Sequence, residues 1–123
     1  GLRSLKRRQI TDAEHIVVIS TTLDTERAAC ELGRALVEAR LAACAQVEPV
    51  HSIFRWQGKI ESSGEWRLSL KTRATLVEQA GAFVCARHGY EVPEFLVTPV
   101  VDGLEEYLAW VREETGTKLS EDG

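Results

Sequence analysis

The chain has 123 residues, 44% hydrophobic and 28% charged, the size and composition of one globular domain. Its net charge of -4 excludes a global basic field for nucleic acid, and no apolar run approaches the roughly 18 residues of a membrane span. Cys30, Cys44 and Cys85 share no zinc or redox spacing; an odd set of this kind reads as reduced thiols of a cytoplasmic protein.

Residues 1–14, which hold the basic run LRSLKRRQ, read as a flexible arm. Gly1, with no methionine in the chain, points to a processed start or to a remnant added to the natural sequence. HIVVISTTL (15–23) is a β-branched apolar run and predicts a buried strand. Asp24 is the expected N-cap of the helix that follows, whose inward stripe is Ala28, Leu32, Ala35, Leu36 and Ala39.

From Cys44 the period changes to two. Ser52, Phe54 and Trp56 fall on one side and Ile53 and Arg55 on the other, with Pro49 marking a bulge or an edge position. After a turn at Gln57-Gly58-Lys59, Trp66, Leu68 and Leu70 alternate with Arg67, Ser69 and Lys71. This is a long hairpin, with a bulge expected near Ser62-Ser63-Gly64. A second helix carries Leu76, Ala80, Phe83 and Val84, and ends at His88-Gly89 with Gly89 as a left-handed cap. EFLVTPVV (94–101) is the last strand, weakened at Pro99, and a closing helix carries Leu104, Tyr107, Leu108 and Val111. Residues 116–123 read as a mobile tail.

The order β-α-β-β-α-β plus a terminal helix predicts an α+β, ferredoxin-like sandwich over residues 15–115. Its helices would cover one face of a four-stranded sheet. Trp56, Trp66, Phe54 and Ile53 then leave apolar surface on the hairpin, and self-association is the most economical cover.

No phosphate loop, nucleophile elbow or zinc-protease helix is present. Glu91 and Glu94 have no apolar surround to tune them as acid and base. The reading is of a protein without enzymatic activity; acylphosphatases share the fold class, but fold does not carry function. In RHGYEVPE (87–94), His88 lies near Cys85 and Glu91, a loose set of metal-ligand types. The plainer reading makes Cys85 a small buried residue and His88 a solvent-facing one at a helix end. His15 and His51 read as strand-end and edge residues.

Nearly the whole chain outside the arm and tail resembles the CutA proteins, named for divalent-cation tolerance. The resemblance is carried by VVISTT (17–22), RLAACAQVEPV (40–50), FRWQGKIE (54–61), RLSLKT (67–72), HGYEVPEFLVTPV (88–100) and YLAWV (107–111). It implies a homotrimer similar to that of the PII signalling proteins, with the hairpins of neighbouring subunits paired. It also implies a role in the response to divalent metal ions, with Cu(II) or another divalent cation as the ligand. The family's copper site uses a cysteine and two adjacent histidines; at the matching positions stand Thr21, Arg87 and His88, so His88 alone keeps a ligand side chain. Other matched positions are Trp56, Lys59, Glu65, Lys71, Tyr90, Pro93 and Glu94, expected as an inter-subunit network or as the lining of a ligand cleft. Two further readings stand beside this one: a PII-like sensor of a small anionic ligand, using Lys71, and a trimeric scaffold for a partner protein.

Overall fold

A computed structural model describes residues 15–117; the basic arm and the last six residues of the tail lie outside the described residues. Alternation along β1 (Ile16–Leu23) sends Val17, Ile19 and Leu23 to one face, where they join the main core. Its neighbours in the sheet are β3 (Lys59–Arg73) and β4 (Leu96–Pro99), both antiparallel to it, and β2 (Cys44–Trp56) pairs with the outer side of β3. The order β2-β3-β1-β4 is that of the predicted sandwich.

Helix α1 (Glu26–Glu38) packs on this face. Its N-cap is Thr25, whose hydroxyl accepts from the Ala28 amide at 3.0 Å. The expected cap, Asp24, lies one residue outside: Thr25 is the residue with extended backbone next to the first helical turn. The buried residues are Ala29, Leu32, Gly33 and Leu36, so the helix is rotated from the expected stripe and Ala39 is exposed. Gly33 explains the rotation. A Cβ there would stand 3.0 Å from Ala45 Cβ and 3.1 Å from Leu68 Cδ1, so a glycine lets the helix backbone approach the sheet. Helix α2 (Val77–Arg87), entered through a 3-10 turn at Ala74–Leu76, adds Ala80 and Val84 to the same core.

The hairpin departs from expectation in two ways. Its register runs unbroken from Cys44 opposite Lys71 to Trp56 opposite Lys59, so no bulge interrupts residues 62–64. The turn is Gln57-Gly58 alone, with φ of 51° and 80°, the two left-handed residues whose twist matches a hairpin. Pro49 lies on the outer strand β2, where a missing N–H costs least.

Trp66 shares its face with Leu68 and Leu70 and packs half-buried against the main core. It therefore does not contribute to the surface assigned to it from the sequence. The second sheet face is not bare either. Helix α3 (Glu105–Glu113) lies on it, joining Val111 and Leu108 to Ile16, Ala43 and Val100. The end of α3 is held to the core by Arg73, which donates to Thr115 Oγ1 and O at 3.0 and 2.6 Å, and by Arg40, which donates to Gly116 O at 2.7 Å.

Candidate functional site

Helix α2 ends at Arg87, and His88 leaves it with extended backbone (φ -81°, ψ 144°). Gly89 is not among the residues with positive φ, so the expected left-handed cap does not form; the side chain of His88 reorganises the exit instead. Its ring turns inward over the end of β1. Nδ1 accepts from the Tyr90 amide at 3.1 Å, and Nε2 lies 2.8 Å from Thr22 O and 3.2 Å from Thr21 Oγ1. An amide only donates and a carbonyl only accepts, so the hydrogen of this neutral imidazole sits on Nε2.

Cys85 and His88 thus exchange the places expected of them. Cys85 is exposed and His88 is half-buried. The signal was in the spacing: Leu76, Ala80, Val84 and His88 follow one another at intervals of four, the pitch of a single helix face. His15, expected as a plain strand-end residue, is buried at 3% exposure.

The turn at His88 delivers Tyr90 to β3. The Tyr90 hydroxyl donates to Glu65 Oε2 at 3.0 Å, and Ser52 of β2 donates to Glu65 Oε1 at 2.7 Å. Burial, the hydrogen bond to Glu65 and the negative charges of Glu65 and Asp24 push the Tyr90 phenol up from 10.0 to about 12. His88 and Tyr90 also meet ring to ring, 4.9 Å between centroids. Ser52 is the member that sequence reasoning missed. It sits near Glu65 in the hairpin ladder, but a lone serine in a strand gives no signal until the register is known.

The other matched residues do not converge here. Trp56 and Lys59 face each other beside the hairpin turn. Lys71 lies on the α3 side of the sheet, its ammonium 5.7 Å from the Tyr107 ring centroid. Glu94 is exposed and Pro93 half-buried in the loop before β4. Of the seven matched positions, Glu65 and Tyr90 are joined by a hydrogen bond, and Trp56 and Lys59 pair separately at the far end of the hairpin.

At the positions expected for a metal, Thr21 is fully buried and Arg87 lays its guanidinium 3.6 Å from the Phe83 ring centroid. Neither is a soft or imidazole ligand, and a guanidinium repels a cation. Among the described residues no group of three or more His, Cys, Asp or Glu side chains is placed to hold an ion. A cleft of about 390 Å³ lies beside this corner, lined by Asp24, Glu31, Leu32, Arg87, His88 and Tyr90 among others.

Residues 17–114 match the family model described as CutA1 divalent ion tolerance protein. The divalent-cation tolerance protein CutA of Thermus thermophilus is 41% identical over 104 residues, covering 84% of this chain and 99% of the relative. Protein CutA of Homo sapiens is 44% identical over 95 residues, 76% of this chain and 53% of the relative. Chloroplastic CutA of Arabidopsis thaliana is 32% identical over 113 residues, 91% and 62%. The chain therefore spans little more than half the length of the human and plant relatives and nearly all of the bacterial one. The solved Thermus structure superposes with a TM-score of 0.79 at 40% identity, covering 82% of this chain and 99% of that one. CutA1 of Oryza sativa superposes at 0.81 with 30% identity, covering 85% and 96%.

Proposed function

This chain belongs to the CutA1 divalent ion tolerance protein family, and from that premise we propose that it acts in divalent-cation tolerance as a homotrimer joined through its hairpin. The observation that carries the assembly is the length of the hairpin. β1 pairs with β3 only as far as Trp66, so residues 50–56 and 59–65 run on as a two-stranded ribbon. Ile53 (71% exposed), Trp56 (60%) and Ile60 (63%) leave this ribbon apolar and uncovered. A second copy offers a surface of matching chemistry. Light scattering checks the proposal: the expected mass is about three times the 13.7 kDa of one chain, and a mass of one chain at micromolar concentration would sink it.

Nothing in the arrangement of Ser52, Glu65 and Tyr90 points to catalysis. Both carboxylate oxygens of Glu65 accept hydrogen bonds, and among the described residues no nucleophile is paired with a base that a third group orients. The role is read as non-enzymatic. The PII-like reading puts a small anionic ligand between subunits and rests on Lys71, whose ammonium stands 5.7 Å from the Tyr107 ring centroid; no observation favours it over divalent-cation tolerance. Nor does any observation favour the trimeric-scaffold reading over divalent-cation tolerance.

All three cysteines are unpaired, the state expected in a reducing compartment, and cytoplasmic residence is proposed on that ground. Among relatives the compartment varies: the Arabidopsis protein is named chloroplastic and an Archaeoglobus fulgidus structure is described as periplasmic. No helix among the described residues is long and apolar enough to cross a membrane.

A further inference from the structure

The family description implies a divalent cation, and the corner that matched the family's copper site is built for something else. We infer that His88 is a structural strap rather than a metal ligand: a neutral imidazole, protonated on Nε2, that ties the α2–β4 loop to the end of β1 and thereby seats Tyr90 on Glu65.

A metal takes a ring nitrogen through its lone pair, and the opposite N–H then donates to a carbonyl or carboxylate. His88 has the second half of that arrangement, with Nε2–H on Thr22 O at 2.8 Å. Its one remaining lone pair, on Nδ1, is taken by the Tyr90 amide at 3.1 Å. A cation at Nδ1 would have to displace that amide and leave it unpaired, which costs more than the mean value of a hydrogen bond suggests. Nor would a second ligand compensate. Thr21 offers a hydroxyl already within 3.2 Å of Nε2, and the Arg87 guanidinium faces Phe83 beside it. The donor set does not fit copper or zinc.

What the corner does carry is a continuous tie. It runs from Thr22 of β1 through the His88 ring to the Tyr90 amide, then from the Tyr90 hydroxyl through Glu65 to Ser52. Ser52 and Glu65 sit where the hairpin leaves β1 behind. The strap therefore fixes the root of the ribbon relative to the helices. The inference rests on the proposed function only in making divalent cations relevant, and it holds whether or not the chain trimerises. A cation response would then have to use another surface.

The test uses the full chain labelled with nitrogen-15. Long-range proton–nitrogen correlations should show His88 as the Nε2–H tautomer, unchanged when Zn(II) is added at one equivalent. Two variants separate the two ends of the ring. The amide oxygen of His88→Asn replaces the Nδ1 acceptor, whereas the amide nitrogen of His88→Gln replaces the Nε2 donor. Exchange of the Tyr90 amide proton should stay slow in the Asn variant and become about tenfold faster in the Gln variant, the effect of losing one hydrogen bond. An Nδ1–H tautomer overturns the inference. So does a Zn(II)-dependent shift confined to His88, or fast Tyr90 exchange in the Asn variant. Light scattering on the same samples reads assembly separately, so a monomer with the predicted tautomer would defeat the trimer and leave the strap standing.

Discussion

Tyr90 shows how one side chain records its surroundings. Its phenol is pushed up to about 12 first by burial and then by Glu65. Below pH 10 it is protonated in both folded and unfolded chains, so its contribution to stability is complete. Between about pH 10 and 12 the unfolded chain ionises first, and that contribution is lost as the pH rises. The chain has two tyrosines, so Tyr107→Phe leaves the alkaline absorbance change to Tyr90 alone. Glu65→Gln in that background removes the charge and should move the ionisation down toward 10 while burial keeps it above. An unchanged titration would mean that Tyr90 and Glu65 do not share a hydrogen bond in solution. The resemblance sets Glu65 and Tyr90 in one group with Trp56, Lys59, Lys71 and Glu94, without saying which of them meet. Which of them meet within one chain was not legible, because position along β3 and the length of the hairpin decide it, and neither is a local property.

At the scale of elements, period and order were readable and rotational phase was not. The alternation of Leu68 and Leu70 with Ser69 and Lys71 fixed β3 well, since a slip of one residue would expose the whole core face. Helix α1 was harder. Its many alanines let two stripes compete, and the winner depends on Gly33 meeting Ala45 across the chain. The end of α1 hides a similar long-range decision. Leu41 N bonds Leu36 O at 2.9 Å and Arg40 N bonds Val37 O at 3.0 Å, a Schellman motif with arginine rather than glycine in the left-handed place (φ 61°). Arg40 holds it because its side chain grips Glu113 O and Gly116 O, contacts no local pattern announces. The hairpin turn offers a cleaner test. A Cβ at Gly58 would touch nothing within 4 Å, and φ there is 80°, so Gly58→Ala should cost roughly 1 kcal/mol through backbone strain alone. Gly64, equally open but without positive φ, is its control. Gly64→Ala should be neutral or slightly stabilising. Urea midpoints read both, and an equal loss at the two sites would mean that the turn is not left-handed.

For the molecule as a whole, the main and α3-side cores account for the folded chain, and the ribbon is left over. On sequence alone Trp66 belongs with the uncovered residues of the hairpin. The structure removes it to the main core and leaves Trp56 as the one tryptophan of the ribbon. The burden on Trp56 is therefore greater than the sequence suggested. It lies opposite Lys59 beside the turn, 60% exposed, far from the residues that make the subunit stable. If the ribbon is the interface, Trp56→Ala removes one of the large aromatic anchors that dominate association energies, and should weaken assembly by on the order of 2 kcal/mol per contact. The subunit's own fold should survive, because Ile19, Leu36, Leu68 and Val84, all fully buried, are untouched. Sedimentation across a dilution series measures the first effect, and circular dichroism of the dissociated chain measures the second. Weaker assembly with an intact fold is the expected pair. An unchanged dissociation midpoint would place the interface elsewhere, and the exposed pair Tyr107 and Trp110 on α3 would be the next surface to probe.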